Sequence, residues 1–282
     1  MVGGVDLVVI GADGGPERSH GGSAMAAQGA RLLADVLPGM CFDAGAAGCR
    51  VTLLEPDADA NRMLTALRGA ARRGGRWLVV CLIGQLVTDP KGRRLALVTG
   101  GSTPDNAYRR GLAWDWVVSA MVHGDQEETL LLVDAVTDRD TWTALERGGG
   151  EDGVGELLSY SRVPLWGRVS RHSGGRRGRT DVLPGGEGSF SRSLVRVLEH
   201  GVPGGPAAVG PLELQPAVLA QVEQAEAAAG PAPARVLVPP QGGRLLMRNR
   251  AAVRGALAGL SLSEELLAVL WRENAPTDPP SA

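Results

Sequence analysis

Apolar residues along this chain follow two alternating rhythms. Continuous runs rich in Val, Ile and Leu stand at 5–10 (VDLVVI), 49–54 (CRVTLL), 77–83 (WLVVCLI) and 129–134 (TLLLVD). Runs this short and this apolar predict the buried strands of a parallel sheet. Between them, apolar positions recur at three and four. Residues 23–37 place Met25, Leu32, Leu33 and Val36 on one face, and 59–73 do the same with Met63, Leu64, Leu67 and Ala71. Both segments predict amphipathic helices, and Gly29, on the apolar face of the first, predicts close packing on the sheet. Residues 114–121 read as a third helix, and 95–99 as a short strand or one arm of a hairpin. Strands alternating with helices predict a parallel sheet covered on both faces.

A Gly-rich spacer, ERGGGEDG at 146–153, precedes a second group of elements. Residues 163–169 read as a strand and 171–179 as a Gly/Arg loop. Residues 189–199 read as a helix stopped by Gly201, and 212–228 as another helix. Two short runs, 235–238 and 244–247, bracket PPQGG and predict a hairpin or paired strands. The expected organisation is a domain over 4–250, in two parts (4–145 and 158–250) that pack together. Helices follow at 251–273, where Ser261 and Glu264 form a capping box, and the Pro-rich 274–282 reads as a disordered tail.

Composition narrows the function classes. The 282 residues are 44 % apolar and 21 % charged, with a formal net charge of -2. That balance gives no global pull toward nucleic acid or an anionic membrane, and neither is expected as a partner. No apolar stretch reaches the roughly 20 residues of a membrane helix. The first strand lacks the basic flank of a signal peptide, so a cytoplasmic protein is expected. Lys91 is the sole lysine, which with abundant Gly and Ala suggests a GC-rich bacterial gene. Cys41, Cys49 and Cys81 lack the spacing of a disulfide framework or a zinc site. GADGG after the first strand lacks the G-x-G-x-x-G spacing of a dinucleotide loop. No metal or cofactor is expected.

In a parallel sheet, sites form beyond the carboxyl ends of the strands. Three such ends matter here: 11–22, 84–89 and 134–139. The second follows WLVVCLI with Gly84, Gln85 and Leu86, and the third continues TLLLVDAVTDRD. Their order and spacing resemble the caspase-like, metacaspase-type cysteine peptidases. That family carries Ser-Gly-His-Gly after one apolar strand and Asp-Ala-Cys-x-Ser-Gly after another, about fifty residues on. VDLVVIGADGG resembles its first strand and turn. GSFSRSLVRVLEHG and LELQPAVLAQVEQ…ARVLVPPQGGRLLMRN resemble later elements. The resemblance covers about 5–249 and implies a three-layer α/β/α caspase-like fold with a mostly parallel central sheet.

Carried over by position, the resemblance places the family's general-base His at Gln85 and its nucleophilic Cys at Val136. It keeps the Asp of the motif as Asp134, and Thr137, Asp138 and Arg139 follow. Gln85 does not titrate and Val136 has no nucleophilic atom, so the ancestral dyad chemistry is lost. The resemblance therefore implies a catalytically inactive homologue, a pseudoprotease acting as a binding, scaffolding or regulatory module with a protein partner. The former substrate cleft would comprise Arg18, Gln85, Asp134, Val136 and Thr137, with Arg18 suited to a carboxylate. Two alternatives stand beside it. One is a hydrolase with a relocated nucleophile, Cys81 or Thr137. The other is a small-ligand binder using the old pocket. His20 and the Arg-rich loop (Arg171, Arg176, Arg177, Arg179) lie near the expected cleft and read by default as solvated loop residues, and His123 lies on the far side of the sheet.

Overall fold

The computed structural model describes residues 4–12, 22–41, 48–147, 154–159, 161–172, 183–229, 233–239 and 244–252. Its centre is a mostly parallel sheet. The apolar runs form β1 (Val5–Gly11), β2 (Cys49–Leu54), β3 (Trp77–Thr88) and, further on, β6 (Glu128–Thr137). They stand in the order β2-β1-β3-β6, and β7 (Leu165–Arg171) and β9 (Ala234–Leu237) extend the sheet beyond β6. All neighbours along this path are parallel except β9, which runs antiparallel to β7. Strands from both sides of the spacer near residue 150 therefore share one sheet.

Helices cover both faces, as the alternating pattern requires. On one face α2 (Ala60–Ala71) and α4 (Trp114–Val122) bury Met63, Leu67, Val117 and Met121 against Val80, Leu82 and Val133. On the other, α1 (Gly22–Met40), α7 (Phe190–His200) and α8 (Pro211–Ala229) bury Leu33, Phe190, Leu194 and Val218 against Val9, Cys81 and Trp166. The architecture is thus α/β/α. Local signals fix the helix starts. Asp59 accepts from the Arg62 amide at 2.8 Å to cap α2, and Ser189 accepts from the Arg192 amide at 3.3 Å to cap α7. Among the described residues no helix is long and apolar enough to cross a membrane.

Several details depart from the sequence expectations. β3 runs on to Thr88, past the end of its apolar run, because β4 (Leu95–Leu97) folds back on it with Leu86 opposite Leu97. β4 in turn pairs with β5 (Leu112–Ala113). The pairing expected across PPQGG does not form. β9 instead joins β7, and β10 (Met247–Arg248) pairs with β8 (Ala208–Val209) in a separate two-stranded sheet. Gly29 packs close, but against a turn rather than the sheet: a Cβ there would lie 2.4 Å from the Gly185 Cα. Short helices α3 (Ala107–Arg110), α5 (Arg139–Glu146) and α6 (Val154–Ser159) add to the expected set. The helices expected after residue 252 and the tail lie outside the described residues.

Gly167 sits in the middle of β7 with φ +144, and a Cβ would meet the Val133 carbonyl oxygen at 1.9 Å. Gly69, exposed on α2, has open space around its missing Cβ. Gly167→Ala is expected to cost at least about 3 kcal/mol, since backbone strain and a backbone clash add. Gly69→Ala is expected to add about 0.5–1 kcal/mol by removing a helix-interior glycine. Urea melts of both variants against the parent protein measure the two shifts, which must differ in sign.

Candidate functional site

β1 and β6 flank β3 in register, so their carboxyl ends meet at one edge: Gly11 stands opposite Ile83, and Ile83 opposite Asp134. Two residues further along, Gln85 stands opposite Val136. Register partners in parallel strands present their side chains on the same face, and the face alternates along each strand. Gln85 and Ile83 on β3, with Val136 and Asp134 on β6, therefore share the face that carries α1 and α7. Leu86 and Thr137 take the opposite face. Gln85 is half-buried and Val136 is 8 % exposed. The structure thus brings Gln85, Asp134 and Val136 together at the centre of the strand-end edge.

Asp134 has a defined task there. Its buried carboxylate accepts from the Gly185 amide at 3.2 Å, the Ser191 amide at 3.0 Å and, at short range, the Ser191 hydroxyl. Ser191 lies in the first turn of α7, where backbone N–H groups have no partner inside the helix. A carboxylate from the central strand satisfies one of them and sits at the positive end of the helix dipole. Asp134 therefore ties β6 to α7 and to the turn at Gly185. Sequence reasoning missed Ser191. The available signal was its place as a polar residue beside Phe190 and Leu194 on a strongly amphipathic helix.

The other expected site residues are placed differently. Thr137 is fully buried, and its hydroxyl donates to the Ser170 carbonyl at 3.4 Å, on the other face from Gln85. Arg18, His20, Arg176, Arg177 and Arg179 lie outside the described residues. Arg171 ends β7, where its amide donates to the Pro233 carbonyl at 2.8 Å. His123 ends α4 just before β6, at the amino end of the strands, with Nδ1 2.9 Å from the Ser119 carbonyl oxygen. Cys81 lies mid-strand between Val9 and Leu132 and is fully buried. Burial, with a smaller contribution from Cys49, pushes its thiol far above the usual range. Cys49 goes the other way. A hydrogen bond from the Cys41 side chain lowers its pKa, against burial and the charge of Asp6.

Next to these strand ends opens a cleft of about 930 Å³, whose lining includes Asp89 and Arg139 from two of the strand ends singled out by the sequence. Its walls come from the β3–β4 turn (Asp89, Lys91), from Tyr108 on α3, from α5 (Arg139, Asp140) and from Arg147, which caps its carboxyl end. Asp138 caps α5 by accepting from the Thr141 amide at 2.7 Å, and the Thr141 hydroxyl accepts from the Thr88 amide at 3.0 Å. These bonds lock the cleft floor to the end of β3. Gln85 and Val136 do not line this cleft.

Chemically, the strand-end face offers an amide that donates and accepts hydrogen bonds, an apolar isopropyl group, and a carboxylate already committed to three donors. None of the three is a nucleophile, and none has a free proton to move. No group of three or more His, Cys, Asp or Glu among the described residues could hold a metal ion. No protein-family model and no curated protein matches the chain.

Two measurements check this geometry. Asp134→Ala leaves the Gly185 amide and both Ser191 donors without their acceptor, and is expected to cost about 3 kcal/mol in denaturant melts, at roughly 1 kcal/mol or more per orphaned donor. Hydrogen exchange at the first turn of α7 should speed up in the same variant. For the thiols, native-state alkylation followed by peptide mapping should modify Cys49 and spare Cys81. The Cys49 thiolate should appear at lower pH than that of an ordinary cysteine, because its pKa is lowered, and Cys41→Ala, which deletes the donor, should move that profile to higher pH.

Proposed function

We propose that this chain is a catalytically inactive, caspase-like pseudoprotease that works as a binding, scaffolding or regulatory module. One observation carries the reading. The positions that the resemblance assigns to the general base and the nucleophile, Gln85 and Val136, are register partners on adjacent central strands. Two residues placed to act on one substrate atom must stand on the same face and side by side. These two do, although their chemistry is gone. The order and spacing from which the resemblance was drawn are thereby consistent with a shared site.

The retained Asp134 supports the same reading. By resemblance it belongs to the nucleophile's motif, and here its carboxylate holds α7. A residue with a structural task persists when the catalytic one beside it is replaced. The partner class is a protein, which the loss of turnover chemistry favours over a small substrate.

The alternative of a relocated nucleophile has less support. Cys81 is fully buried with a raised pKa, and the Thr137 hydroxyl is bonded to a backbone carbonyl on the other face.

The test is peptide turnover by the purified chain. A fluorogenic library varied at the residue before the scissile bond, assayed with and without calcium, should show no hydrolysis above buffer. The same result is expected for a Gln85→Ala, Thr137→Ala variant. Turnover by the parent protein that disappears in the variant would overturn the reading.

A further inference from the structure

We infer that the groove between the β3–β4 turn, α3 and the start of α4 is a docking site for an acidic peptide segment of a protein partner, with a bulky apolar residue as its anchor. The inference takes the chain as a binding module and names where it binds and what chemistry it recognises.

The groove measures about 450 Å³ and is lined by Arg94, Tyr108, Arg109, Asp115 and Trp116, among others. Trp116 is 44 % exposed, whereas Trp77, Trp114, Trp142 and Trp166 are all buried. On α4 the core-facing stripe is Trp114, Val117 and Met121, so the indole of Trp116 points away from the core. A lone exposed tryptophan needs no explanation. This one lies in a groove with two arginines that have no acidic partner among the described residues. The Arg109 guanidinium lies 5.2 Å over the Tyr108 ring, which fixes its direction. Arg94 is held from below: Asp89 accepts from the Arg93 and Arg94 amides at 2.6 and 2.8 Å, and the Asp89 amide donates to the Arg94 carbonyl at 3.0 Å. The Arg109 guanidinium is thus pre-oriented and the Arg94 backbone is ordered, which reduces the entropy lost on binding. Trp, Tyr and Arg together are the residue types that dominate protein–protein binding energy.

Charge decides the kind of partner. Two uncompensated guanidinium groups ask for carboxylates, and they can receive them bidentately. A continuous polyanion fits poorly. Asp115 lies inside the groove, and the cleft next door, which shares Tyr108, sets Asp89, Asp105, Asp138 and Asp140 beside Lys91, Arg139 and Arg147. A nucleic-acid backbone tracking from one to the other would find no continuous line of positive charge. A peptide can place Glu or Asp against Arg94 and Arg109 and an apolar side chain on Trp116, and then leave.

The experiment uses the full chain and fluorescein-labelled peptide pools in which Leu or Phe is flanked on both sides by Glu. A Lys-flanked pool and a 12-nucleotide oligo-dT serve as controls. Fluorescence polarisation should show saturable binding of the Glu pool, weakened by salt. It should bind at least tenfold tighter than either control. Trp116→Ala and Arg109→Glu should each reduce binding at least tenfold without changing the melting temperature by more than a few degrees, since both side chains are exposed. Arg109→Glu should also gain affinity for the Lys pool. No binding of the Glu pool, binding that both variants leave intact, or tighter binding of either control would overturn the inference. Mass spectra of the recovered peptides separate the two claims: intact peptides keep the inactive reading, and cleaved peptides would sink it while leaving the groove in place.

Discussion

The pairing of β3 with β6 governs the rest of the molecule. It runs in parallel register from Trp77 opposite Glu128 to Leu86 opposite Thr137. Both strands are buried over nearly their whole length, so neither can slip by one residue without sending its apolar set to the wrong face. That constraint fixes Gln85 beside Val136 and places Asp134 under the start of α7. It also delivers the chain to the two turns from which the polar cleft and the Trp116 groove are built. Local chemistry at each site is the consequence of one long, unslippable register.

The Asp134 contact shows how such a frame positions a side chain at the strand ends. In an active hydrolase, a strand-end carboxylate beside a nucleophile invites a catalytic explanation. Here the three donors come from α7 and the Gly185 turn, and the carboxylate acts as a helix cap supplied from a distant strand. Its cost of burial is offset because both backbone amides would otherwise have no partner. The same logic applies to Thr141 and Asp138 at the end of β3. Their hydrogen bonds hold loops at fixed distances from the sheet, which a binding surface needs as much as an active site does.

Much of the fold was legible in the sequence because burial writes itself locally. The continuous apolar runs gave β1, β2 and the first half of β3 nearly to the residue, and three-and-four spacing gave α1 and α2. What failed was non-local. Nothing in Leu86–Thr88 announces that β4 will pair with it, and the composition of PPQGG signals a turn without naming the partners of the strands around it. β9 and β10 each found another strand across the fold. Of the candidate site, Gln85, Asp134 and Val136 followed from motif spacing. Thr137 was placed with them because adjacency in sequence hides the alternation of faces. Ser191 was missed because a serine on the buried face of a helix does not name the partner it will meet, and Trp116 because it lies one residue off the apolar stripe of α4.

The central claim is that the face of Gln85, Asp134 and Val136 retains a caspase-like arrangement without a reactive group. It is tested most directly by electrophilic peptide probes that capture thiol or hydroxyl nucleophiles, such as a peptidyl acyloxymethyl ketone library, followed by intact mass and adduct mapping. The account predicts no adduct on the strand-end residues, with modification confined to Cys49 if it occurs. A stoichiometric adduct that maps to Thr137, to Cys81 or to another residue of the strand ends would show a working nucleophile and contradict the account.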